Sequence, residues 1–89
     1  MKTPARLKHL TSRQSVLADA IGHFLVGEDR EDALAALLSI SAGVISANTA
    51  SDDDAALLAA VFGQSVVRTV CADRAGLIEG INIVVGTVQ

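Results

Sequence analysis

Tryptophan and tyrosine are absent from this 89-residue sequence, which also holds only two phenylalanines, one methionine, one proline and one cysteine. A single cysteine excludes an internal disulfide framework. Without a CxxC motif or a paired Cys and His set, the common zinc sites are also excluded. Cysteine usage of this kind fits a reducing setting, so a cytoplasmic location is expected. Scarce aromatic residues leave no platforms on which single-stranded nucleic acid could stack. The seven glycines fall at positions 22, 27, 43, 63, 76, 80 and 86. None of them builds a phosphate-binding GxGxxG or GxxxxGK[ST] loop, and neither GxSxG nor HExxH occurs. No cofactor, metal site or enzymatic activity is therefore expected.

What is present is apolar: 51% of the residues are hydrophobic, 15 of them alanine, against 19% charged. That balance excludes a disordered chain or a linker. Leu7, Leu10, Leu17, Ile21 and Phe24 fall at spacings of three, four or seven, which predicts a first helix ending at Gly27. Its start has two solutions. Thr3 followed by Pro4 is a helix cap with proline in the first turn. Alternatively, Thr11 and Gln14 fit a capping box, with a break before Thr11. Glu28, Asp29, Glu31 and Asp32 place acids at the positive end of a second helix running to about Ala47, with Asn48 as a left-handed stop. Ser51 followed by Asp52, Asp53 and Asp54 repeats the device for a third helix, closed by Gly76. Asp52 to Asp54 read as helix-capping acids, since they lack the spacing and central glycine of a calcium loop.

The segment 77–89 satisfies helical spacing through Leu77, Ile78, Ile81, Val84, Val85 and Val88. It is also rich in β-branched residues and carries Gly80 and Gly86. A lone strand would have nothing to pair with, so a short C-terminal helix is the favoured reading and an extended tail the alternative. The expected fold is all-α: one domain over residues 1–89, built as a bundle of three main helices with a basic arm at 1–13 and an apolar tail at 77–89. Residues 33–51 form a charge-free stretch as long as a membrane span. Ser39, Ser41, Ser46, Asn48, Thr49 and Ser51 interrupt it, so a core helix is expected there and no transmembrane span.

Two patterns point to partners. Lys2, Arg6, Lys8 and Arg13 form a basic arm on an otherwise acidic chain of net charge −3, which suits contact with an anionic partner or docking on the acidic body itself. Small residues recur every four positions: Ala18 and Gly22 in helix one; Ala35, Ser39, Gly43 and Ala47 in helix two; Ala55, Ala59 and Gly63 in helix three. Such a ridge lets another helix approach closely. Helices two and three are expected to cross near Gly43 and Gly63, either within one chain or between copies. A bundle of this length offers roughly 20–25 fully buried positions, whereas the chain has 30 apolar residues larger than alanine, counting Met1 and Cys71.

Among the titratable residues, Asp19 and His23 lie one helical turn apart and read as a surface pair, because no nucleophile is recognisable beside them. Cys71 reads as a small core residue. The functional expectation is a non-enzymatic helical interaction protein of adaptor, inhibitor or antiactivator type, acting as a homodimer and with another protein as its target. The alternatives are a nucleic-acid-associated regulator using the basic arm, for which helices two and three offer too few basic residues to read DNA, and a peripheral membrane helix protein.

Overall fold

The computed structural model describes residues 6–80 and 83. Among them are three α-helices and no named strand: α1 (Ser12–Leu25), α2 (Arg30–Ala47) and α3 (Asp52–Arg74). The all-α expectation holds at this level.

Capping chemistry sets the boundaries. At α1 the capping box wins over the Thr3 and Pro4 start. The Thr11 hydroxyl accepts from the Gln14 amide at 3.1 Å, and the Gln14 side chain accepts from the Thr11 amide at 2.9 Å. These reciprocal bonds satisfy two amides that a helix start otherwise leaves unpaired. The chain before Thr11 is accordingly outside the helix over the described residues 6–10. At α2 one carboxylate oxygen of Asp29 accepts from the Glu31 and Asp32 amides at 3.0 and 3.2 Å. Glu31 and Asp32 then oppose the helix dipole in the first turn. At α3 the Ser51 hydroxyl accepts from the Asp54 amide at 3.1 Å, with three acids in the first turn.

The helix ends use glycine where the backbone demands it. Gly76, at φ 76°, donates to the Asp73 carbonyl while Leu77 donates to that of Ala72, a Schellman closure that needs a left-handed residue. After α1, Val26 and Gly27 (φ 82°) form the centre of a type II turn closed by Glu28 donating to Leu25. Asn48 departs from expectation. It ends α2 at φ −119° and ψ 18°, outside the left-handed region. Its side-chain amide donates back to the Val44 carbonyl at 2.7 Å, and the Thr49 hydroxyl donates to that of Ile45 at 2.8 Å. Side chains satisfy the carbonyls here, so no left-handed residue is required.

The tail differs most from the reading. Residues 77–80 are not helical, because they find the pairing partner that a lone strand lacks. Leu7 donates to the Leu77 carbonyl at 3.0 Å and accepts from the Glu79 amide at 2.8 Å, a parallel bridge between Leu7 and Ile78. The rest of the helical expectation, at Ile81, Val84, Val85 and Val88, falls outside the described residues.

Beyond this bridge the tail returns to the helices. A Cβ built on Gly22 would stand 2.8 Å from Ile83 Cδ1 and 3.1 Å from its Cγ1, so Ile83 lies directly over the glycine. Leu25, Ala33 and Leu37 share a small apolar cleft with Ile83, where α1, α2 and the tail meet. Gly22 and Ala33 are the buried helix residues, and α3 has none. Gly22→Leu is expected to expel Ile83 and destabilise the fold by about 1–3 kcal/mol through overpacking. Limited proteolysis beyond residue 77, faster in the variant, checks this; an unchanged cleavage rate counts against the docking of Ile83.

Candidate functional site

An apolar groove lies between α2 and α3. Leu34, Leu37, Leu38, Ser41, Ala42 and Ile45 line one wall, and Ala59, Phe62, Gly63 and Val66 the other, around an open volume of about 560 Å³. Along both helices these positions recur at intervals of three and four, so each wall is a single helix face. Residues 48–51 join the helices in a tight connection. The lining runs from Ile45 and Ala59 near that connection to Leu34 and Val66 away from it, as in an antiparallel hairpin with its seam left open. Ser41 is the one polar side chain in the lining.

Exposure extends well beyond the groove. Eighteen large apolar side chains among the described residues are exposed, including Phe24 at 79%, Leu38 at 71%, Leu57 at 65% and Phe62 at 47%. The two hydroxyls within α3 bond to its own backbone: that of Ser65 donates to the Val61 carbonyl at 2.9 Å and that of Thr69 to Ser65 at 2.8 Å. Both hydroxyls are thus satisfied without water, which suits a helix surrounded by apolar material. By length and composition α3 is long and apolar enough to cross a membrane, with a mean hydropathy of 1.6 and none of that window buried. The stretch 33–51, weighed for this role from the sequence, is instead α2 and its connection.

The small-residue ladders do not meet within the chain. Ala35, Ser39, Gly43 and Ala47 are all exposed and occupy the side of α2 turned away from the groove, whose lining includes Ala59 and Gly63 from the α3 ladder. Ala55 is half-buried one turn before Ala59. A Cβ at Gly43 or Gly63 would meet nothing within 4 Å among the described residues. The expected crossing of helices two and three at these glycines is therefore not made inside one chain. Gly22, in the α1 ladder, is the closely approached position, and a tail side chain covers it instead of a helix.

The basic arm lies partly on the body. Arg6 Nη2 is 4.0 Å from where a Gly76 Cβ would stand, beside the negative end of α3. Lys8 and His9 line a polar cleft of about 410 Å³ with Asp19, Glu79, Ser12 and Ser15. Arg13 is exposed in the first turn of α1, and Lys2 lies outside the described residues. His9, beside Lys8 in the basic arm, thus shares one cleft with Asp19. Leu7, two residues before His9, is held by the bridge to Ile78, a long-range contact that no local spacing encodes. His23 packs its ring edge-on to Phe24, with centroids 6.1 Å apart. No group of three or more His, Cys, Asp or Glu side chains able to hold a metal ion occurs among the described residues.

Cys71 is exposed, not buried as a core residue. It is not among the residues that line the groove.

The chain matches no protein-family model, no curated protein and no solved structure.

Proposed function

We propose that this chain is a non-enzymatic helical interaction protein that works as a homodimer, of the adaptor, inhibitor or antiactivator type. The observation that carries the reading is the exposure of eighteen large apolar side chains among the described residues, with only Gly22 and Ala33 buried in the helices. Exposed apolar surface on this scale is more than a folded monomer ordinarily leaves in water, which supports a partner surface. A symmetric dimer is the commonest closed assembly. Size-exclusion chromatography with light scattering at tens of micromolar is expected to give twice the 9.1 kDa chain mass. A clean monomer peak that retains the helical circular dichroism would overturn the reading.

A second reading, attachment to a membrane, is favoured by α3 alone: its length, its hydropathy and its internally bonded hydroxyls. Gln64 and Arg68 stand against it, because they put an amide and a cation within the apolar window. Co-sedimentation with vesicles decides between the readings. The homodimer stays in the supernatant, whereas a membrane helix pellets with the lipid.

A further inference from the structure

The basic arm and the tail hold each other. Leu7 donates to the Leu77 carbonyl at 3.0 Å and accepts from the Glu79 amide at 2.8 Å, so one residue of the arm makes two backbone bonds to residues 77–79. Glycine lets the tail lie close to the helices beyond this pairing. A Cβ on Gly80 would collide with the Asp73 carboxylate in the last turn of α3, and one on Gly22 would stand 2.8 Å from Ile83 Cδ1. The tail is thus anchored by the arm at one end and seated over α1 at the other, where Ile83 shares a cleft with Leu25, Ala33 and Leu37. The cations of the arm meet negative groups on the same chain. Arg6 lies beside Gly76 at the negative end of α3, and Lys8 shares a cleft with Asp19 and Glu79.

We infer that the basic arm is a clasp acting on its own chain: by pairing with residues 77–79 through Leu7 it keeps Ile83 seated over Gly22, and its release opens the cleft between α1 and α2. The arm then has an intramolecular role in place of contact with an anionic partner, whether or not the chain dimerises. The size of the contact makes the clasp reversible. A backbone hydrogen bond contributes a net factor of about two to ten in an equilibrium constant, so the two at Leu7 favour the closed arm by roughly 5- to 100-fold. Openings of so small a free energy occur locally, without unfolding of the helices. Arg6 and Lys8 add to the closed state mainly at low ionic strength, because exposed charges are screened by salt.

The test uses the full chain and a glutamate-specific protease. Glutamate occurs at positions 28, 31 and 79, so the cut after Glu79 reads the clasp while the cuts after Glu28 and Glu31 read the helical body of the same molecule. Leu7→Pro removes the amide that bonds to Leu77, at a position outside the three helices. It is expected to speed the cut after Glu79 by about two- to tenfold, and deletion of residues 2–10 by roughly 5- to 100-fold, with Glu28 and Glu31 cut at the wild-type rate. Because coupling between two sites is reciprocal, Ile83→Ala is expected to speed the same cut from the other end of the tail. Three outcomes overturn the inference. The cut after Glu79 is unchanged in both arm variants; or all three glutamates are cut faster by the same factor, which makes the arm a general support of the fold; or Ile83→Ala leaves the cut after Glu79 unchanged, which uncouples Ile83 from the pairing at Leu7.

Discussion

Diluting the protein is expected to unfold it. Ordering a residue costs about 1–2 kcal/mol of backbone entropy, which burial must offset. Here the described helices bury only Gly22 and Ala33, and α3 buries nothing. Helices of 14, 18 and 23 residues are marginal in water by themselves, because most helix stability in proteins comes from packing an apolar face. On the homodimer reading, folding is coupled to association. Each tenfold dilution of a dimer costs about 1.4 kcal/mol, or roughly 3–6 °C in melting temperature for an assembly of this combined size. Circular dichroism at 222 nm over a thousandfold concentration series reads this directly. A melting temperature independent of concentration would sink the coupling.

The second large effect separates two glycines that look equivalent in the sequence. Gly43 and Gly63 both sit in four-residue ladders, and a Cβ at either meets nothing within 4 Å among the described residues. An isolated chain would gain from Gly→Ala at both, since glycine in a helix interior costs about 0.5–1 kcal/mol relative to alanine. The groove separates them, because Gly63 lines it and Gly43 does not. Gly43 faces outward, so Gly43→Ala is expected to raise stability by about that amount. Gly63 lines the groove, so Gly63→Leu is expected to cost about 1–3 kcal/mol by overpacking the seam and to shift the dimer toward monomer. Thermal melts at one fixed concentration, paired with light scattering, give both signs. Two stabilised variants with unchanged dimer mass would show that the groove takes no part in association.

The contrast also shows where local reading reaches its limit. Small residues every four positions identify a ridge, but not what lies across from it. Of the ladder glycines, Gly22 is closely covered, and the group that covers it is Ile83, more than sixty positions away along the chain. Asn48 illustrates the same limit at shorter range. Its type suits a left-handed stop, yet its side chain and that of Thr49 bond the last carbonyls and the backbone stays outside the left-handed region. The segment 77–80 takes an extended form because Leu7 supplies the backbone bonds, a partner that hydrophobic spacing near the tail does not reveal. His9 reaches the cleft with Asp19 through that same bridge.

The sequence by itself determined the elements. Hydroxyl and carboxylate caps at Thr11, Asp29 and Ser51 act on amides two or three residues away, and Gly27 and Gly76 release helix ends through their own φ angles, so a short stretch of chain contains the whole cause. The apolar excess was equally legible, because counting residues against the capacity of a small core needs no coordinates. The tertiary structure decided which faces stay uncovered: the splay of α2 from α3, the outward turn of Gly43, the exposure of Cys71 and the return of the tail over Gly22. Those outcomes depend on contacts between residues far apart in the chain, whose geometry is fixed only when the helices are placed against one another.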